Sequence, residues 1–145
     1  MYKLNEPKVF ADVTNNIAVI INSETGIYYG INNSGSMVFQ AIIDGCSIQS
    51  IIDGLKRIET CPNDIEQKLK TFIDNLLQKE IIVEGETSSK IPVFDEIEIK
   101  QDNFEMKLSE YADAQELLLA DPIHDVDETQ GWQPIFKEEE NKDDK

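Results

Sequence analysis

Ile17-Ala18-Val19-Ile20-Ile21-Asn22-Ser23-Glu24-Thr25-Gly26-Ile27-Tyr28-Tyr29-Gly30-Ile31 is the stretch that decides the fold. Its first five residues are apolar and mostly β-branched, which predicts a largely buried strand. Asn22 to Gly26 is turn chemistry, and Gly26 is free to take a positive φ. Ile27 to Ile31 then returns as the second arm of a hairpin. Upstream, Lys8-Val9-Phe10-Ala11-Asp12-Val13 predicts a further strand, joined through a turn at Asn15-Asn16. The three make a small antiparallel sheet.

Helical periodicity takes over downstream. Asn32, Asn33 and Ser34 offer N-cap oxygens, and Met37, Val38, Ile42 and Ile43 follow at helical spacing until Asp44-Gly45 stops the helix. Ser47 can cap a second helix whose Ile48, Ile51, Ile52, Leu55 and Ile58 form one apolar stripe. Gly54 inside it implies close packing, because glycine costs a helix interior about 1 kcal/mol relative to alanine. After Pro62, Asn63 with Glu66 three residues on reads as a capping-box variant. The third helix carries Ile65, Leu69, Phe72, Ile73, Leu76 and Leu77 on one stripe and ends near Lys79-Glu80. Ile81-Ile82-Val83 then forms a short strand or a docking tail. The expected class is α+β: a three-stranded antiparallel sheet with a three-helix, winged-helix-like bundle, followed by an acidic extension.

Charge divides the chain. The whole carries a formal charge of −16 over 145 residues. Residues 1–90 hold 8 Lys/Arg against 12 Asp/Glu, whereas residues 91–145 hold 5 against 17. Residues 1–85 therefore read as a domain, 86–92 as a polar linker and 93–145 as an acidic extension whose end, 139–145, is too charged to fold. Such a chain repels phosphate backbones and anionic membrane surfaces. No apolar run approaches the roughly 18–20 residues of a bilayer span, and the N-terminus lacks the order of a signal peptide. These features together read as cytoplasmic.

Three helices and a β-like segment also describe a winged helix-turn-helix. A DNA reader needs a basic recognition helix, yet Lys68, Lys70 and Lys79 are offset here by Asp64, Glu66, Asp74 and Glu80. An enzyme finds no support either: there is no histidine in residues 1–90, no phosphate loop and no Ser/His/Asp arrangement. Cys46 and Cys61 are not in CxxC spacing, so they read as reduced core thiols rather than zinc ligands. No cofactor is expected.

The run Ile20 to Asn32, with Asn33 and Gly35 before Val38-Phe39, the Asp44-Gly45 stop, the Ile48–Leu55 helix and the 64–84 stretch, resembles the PqqD-like peptide chaperones, also called RiPP recognition elements. The resemblance covers residues 5–85. It implies a non-catalytic protein that binds the leader of a ribosomally made precursor peptide and presents it to a modifying enzyme. It also implies that the leader adds as a strand to the 27–31 segment and lies beside the third helix. Strand addition fits the residues physically, because an edge strand offers unpaired N–H and C=O groups. The expected site is Ile27, Tyr28, Tyr29, Gly30 and Ile31 on the strand, with Lys68, Thr71, Phe72 and Asn75 on the helix. Ile27, Tyr29 and Ile31, which share one face, and Phe72 also fit a purely structural role in the core, and Lys68 that of a solvated charge. Proline at Tyr29 is expected to remove an edge N–H. The competing reading is a winged-helix-like interaction or regulatory protein whose tail docks on a partner.

In the extension, Ile91-Pro92-Val93-Phe94 and Ile97-Glu98-Ile99 are expected to pair as strands. Residues 111–120 are helix-capable. Leu117, Leu118, Leu119, Pro122, Ile123, His124 and Trp132 are apolar or aromatic anchors in an acidic context, the composition of a docking segment. Three uses are open: docking on a partner, folding back over the edge strand as a pseudo-leader, or serving as a fused substrate. His124 with Asp125, Asp127 and Glu128 is a weak candidate for a divalent ion.

Overall fold

The computed structural model describes residues 1–112. Its order is β1 (Tyr2–Leu4), β2 (Val9–Thr14), β3 (Ile17–Asn22), β4 (Tyr28–Ile31), α1 (Asn33–Ile43), α2 (Ile48–Lys56), α3 (Ile65–Gln78), β5 (Ile82–Glu84), α4 (Glu96–Gln101) and β6 (Leu108–Tyr111). The α+β class stands. The three-stranded sheet does not: the main sheet has four strands in the order β2-β3-β4-β6, and β1 with β5 makes a second, two-stranded sheet.

Local chemistry accounts for the hairpins. Thr14 faces Ile17 across a two-residue turn in which Asn15 and Asn16 both have positive φ, near 54° and 59°, a conformation asparagine tolerates. In the β3–β4 turn the Asn22 side-chain oxygen accepts from the Glu24 and Thr25 N–H groups, and Gly26 sits at φ 75°. Alternation along β3 turns Ala18 and Ile20 into the core, where Tyr29 and Ile31 of β4 join them.

The helices follow their caps. Asn32 and Ser47 accept from Gly35 N–H and Ser50 N–H at the starts of α1 and α2. Asp44 ends α1 and Gly45 follows at φ 85°. At α3 the expected cap fails: the N-cap is Asp64, one residue beyond Asn63, and it makes no side-chain capping bond. Leu69, Phe72 and Leu76 of α3 close the core against Phe39, Ile51 and Leu55.

The extension is built into this body. Residues 91–94 and 97–99 do not pair as strands. Ile97 and Ile99 lie in α4, because the Asp95 carboxylate accepts from both Ile97 N–H and Glu98 N–H and so nucleates a helix. Ile99 is fully buried and Phe104 nearly so. Phe94 lies over Gly54, where a Cβ would stand 2.9 Å from its ring, so the small residue in α2 admits the extension. Before it, Ser88 N–H donates to Gly45 C=O and the Ser88 hydroxyl to Asp44 C=O, pinning the polar segment to the end of α1.

Candidate functional site

The 27–31 segment is not an edge among the described residues. β6 pairs with β4 antiparallel, in the register Tyr28–Tyr111, Tyr29–Glu110, Gly30–Ser109 and Ile31–Leu108. The outer side of 27–31 is therefore occupied by residues 108–111. Leu117, Leu118, Leu119, Pro122, Ile123, His124 and Trp132, and with them the metal reading at His124, lie outside the described residues.

Hydrogen-bond alternation defines which groups of β4 face outward. Asn22 N–H donates to Ile27 C=O, so Tyr29 and Ile31 bond toward β3. The Ile31 end is bridged by Ser36, whose hydroxyl accepts from Ala18 N–H and donates to Ile31 C=O. On the other side Asn32 N–H donates to Lys107 C=O at 3.3 Å, so Gly30 and Tyr28 bond toward β6. Proline at Tyr29 would thus break the inner ladder. The residues whose amides serve an added strand are Tyr28 and Gly30.

Beside this edge runs a shallow groove of about 200 Å³ lined by Gln67, Lys68, Thr71, Phe72, Asn75, Glu105 and Met106. All four residues expected on the helix wall meet there. Thr71 and Asn75 are exposed, Lys68 is half-buried, and Phe72 is 1% exposed and belongs to the core. On the strand side, Ile27 precedes β4 and is half-buried, as is Tyr28, whereas Tyr29, Gly30 and Ile31 are buried.

Two ion pairs tie the helix to the incoming segment: Lys68 Nζ to Glu105 at 2.5 Å and Lys79 Nζ to Glu110 at 2.9 Å. Hydrogen bonding to Glu105 holds the Lys68 ammonium above its usual range against the opposing effect of burial. Glu110 does the same for Lys79. Burial pushes the Tyr29 phenol up, and the nearby Glu110 adds to it. Lys79 was absent from the sequence-based site, although it lies eleven residues after Lys68, three helical turns on and on the same face.

Asn32 organises the other end. Its side-chain oxygen accepts from Gly35 N–H and Lys107 N–H, and its amide donates to the Asp102 carboxylate and the Glu105 carbonyl. Asp102 also accepts from Ser34 N–H, placing a carboxylate at the positive end of α1. Gly35 lets the Met106 backbone pass: a Cβ there would stand 3.2 Å from Met106 Cα and 2.7 Å from the capping Asn32 oxygen.

One contact of β6 is imperfect. The Tyr111 hydroxyl is buried with no hydrogen-bond partner among the described residues. An orphaned hydroxyl costs about 1–3 kcal/mol, so Tyr111→Phe is expected to raise stability by about 1 kcal/mol, read as a higher urea midpoint at unchanged slope. Among the described residues no cluster of three His, Cys, Asp or Glu can hold a metal ion, and no helix is long and apolar enough to cross a membrane. Cys46 and Cys61 are free, and burial pushes both thiols up, away from the reactive thiolate.

An antiparallel sheet whose strand β4 takes an extended segment beside a helical groove has the geometry of strand addition. Residues 18–82 match the family described as coenzyme PQQ synthesis protein D (PqqD). The match runs from β3 into β5 and ends before the residues that supply α4 and β6. A solved structure described as "TbiB1 in Complex with the TbiA(beta) Leader Peptide" is similar in fold, with a TM-score of 0.51 at 23% identity. The similarity covers 59% of this chain and 99% of that one. No curated protein matches the chain.

Proposed function

We propose that this chain is a non-catalytic peptide chaperone that binds the leader of a ribosomally synthesised precursor and presents it to a modifying enzyme in the cytoplasm. The observation that carries this reading is the outer side of β4. It bonds an extended segment in antiparallel register, next to a groove built from α3. The match of residues 18–82 to PqqD supports it, as does the leader peptide held by TbiB1 in a similar fold. In this reading residues 1–85 are the recognition domain, with α1–α3 and β5 as its winged-helix-like part, 86–92 the linker and 93–145 the extension. Tyr28 and Gly30 supply backbone bonds, while Lys68, Thr71 and Asn75 supply selectivity. A nucleic-acid reader is disfavoured, because Lys68, Lys70 and Lys79 of the α3 region are each paired with a carboxylate.

The test is a fluorescence-anisotropy titration of the full chain with leader segments encoded beside its gene. Binding at micromolar concentration is expected, and in the β6-opened variant described next it is expected to weaken at least about 10-fold when Tyr28→Pro is added, a change that keeps the β3 ladder. Circular dichroism must show that variant folded. Equal binding by the folded variant overturns strand addition at β4. If no such leader binds either the wild type or the β6-opened variant described next, the leader reading fails.

A further inference from the structure

If the outer side of β4 is the leader site, then something already occupies it. We propose that residues 105–111 are a resident surrogate for the leader, held in the peptide site in cis, and that an external peptide binds by displacing them. The peptide this site selects follows the path of this segment, a strand entered through a turn, with carboxylates at the positions of Glu105 and Glu110 and apolar side chains at those of Met106 and Leu108. The inference rests on the peptide-binding reading above and adds to it the occupant and the ligand class.

Geometry matches the segment to the site at three points. Four β6 residues pair in continuous register with all four of β4, and Lys107 extends the pairing to Asn32. Met106 lies against the groove wall formed by Lys68, Thr71, Phe72 and Asn75. Glu105 lies in the non-strand turn before β6 and Glu110 within β6, and the segment brings both carboxylates to the α3 side, against Lys68 and Lys79. Both ion pairs are made by the segment as it lies here, so a peptide following the same path meets the same two lysines.

The segment is built to stay near while holding weakly. Upstream, Ile99 and Phe104 are buried, and Asn32 bonds Asp102, Glu105 and Lys107. β6 itself makes softer contacts. Leu108 and Ser109 are half-buried, both ion pairs are partly solvated, and the Tyr111 hydroxyl is buried without a partner among the described residues. A weakly bound strand on a tether of a few residues still competes well, because its effective concentration is in the millimolar range. The PqqD match ends at Ile82, before this segment begins.

The probe is a labelled synthetic peptide of residues 104–112, titrated against the full-length chain. Ser109→Pro removes the outward amide that alternation pairs with Gly30, so it opens β6 without touching the β3 ladder. Glu105→Gln with Glu110→Gln loosens β6 while leaving its backbone intact, which guards against a folding defect in the proline variant. Each opened variant is expected to bind the probe at least about 10-fold tighter than the wild type. Hydrogen exchange at Tyr28 and Gly30 should rise in both, with the amides of β3 unchanged. A probe with both glutamates replaced by glutamine should bind the opened variants at least about 10-fold more weakly than the original.

Equal probe binding by the wild type and by variants whose Tyr28 and Gly30 amides exchange faster overturns the proposal. Faster exchange in neither variant overturns it as well, since β6 would then not be a displaceable strand. Equal binding of the two probes overturns the role of the two carboxylates. The two readings separate cleanly. If gene-neighbour leaders bind wild type and opened variants alike, the surrogate fails and the leader reading stands. If opened variants take the 104–112 probe but no leader, the leader reading fails and the surrogate stands.

Discussion

Asn32→Ala is expected to lower stability by about 2–4 kcal/mol and to release residues 102–111 from the sheet. Asn32 is 8% exposed, and its side chain makes four hydrogen bonds, two as acceptor and two as donor. Alanine deletes the cap of α1, a loss of about 1 kcal/mol. It also strips a partner from the Gly35 and Lys107 amides and the Glu105 carbonyl, in a place where water enters poorly. A domain of this size holds about 5–15 kcal/mol in total, so the urea midpoint should fall visibly. Hydrogen exchange separates the two halves of the effect: amides of β6 should exchange faster, while those of β2 and β3 follow only global stability. Asn32→Asp gives the comparison. It keeps the oxygen that caps Gly35 and accepts from Lys107, but it sets a second carboxylate against Asp102. It should hold α1 and loosen the extension. A shift below about 1 kcal/mol for Asn32→Ala would mean that Asp102 alone, through Ser34 N–H, suffices to cap α1.

The elements set by short-range chemistry were legible from the residues; those set by distant partners were not. Asn15-Asn16 and Gly26 carry their turns in their own φ preferences, and Ser47, Asn32 and Asp44-Gly45 carry the helix ends in their side chains. The apolar stripes of α2 and α3 needed only counting. Leu108-Ser109-Glu110-Tyr111 has no such signature, since four residues without turn signals declare no strand. Its partner is β4, some 80 residues upstream, so an edge was expected where the chain supplies its own fourth strand. At Ile97-Glu98-Ile99 a period-two alternation suggested a strand, and the structure answers with α4. The missed signal was Asp95 with Glu98 three residues later, a capping pattern that outweighs a three-residue alternation. Lys68, Thr71, Phe72 and Asn75 line one groove because helical spacing places them on one side of α3. Lys79 caps α3 rather than lying within it, so its pairing with Glu110 carried no helical signature, and the direction of the Tyr29 amide, toward β3, is invisible until both neighbouring strands are known.

Phe72→Ala is expected to cost about 3–5 kcal/mol, enough to bring the domain near its unfolding threshold. The ring touches the peptide groove at one edge, yet the residue is 1% exposed and packs with Leu69, Leu76 and Phe39 in the main core. Truncation removes most of the side chain from a position that α3 cannot vacate, because Leu69 and Leu76 hold the same helix face on either side. The urea midpoint should drop by a large fraction of its value, and peptide binding should disappear with the fold. Loss of binding in that variant therefore reports stability, not contact. Thr71 and Asn75 are the informative positions. Both are exposed on the same wall, so alanine there should change stability by no more than about 0.5 kcal/mol, and any change in peptide affinity is then a change in the groove itself. If Phe72→Ala instead cost under about 1 kcal/mol, the ring would belong to the groove more than to the core, and the selectivity assigned to Thr71 and Asn75 would have to be shared with it.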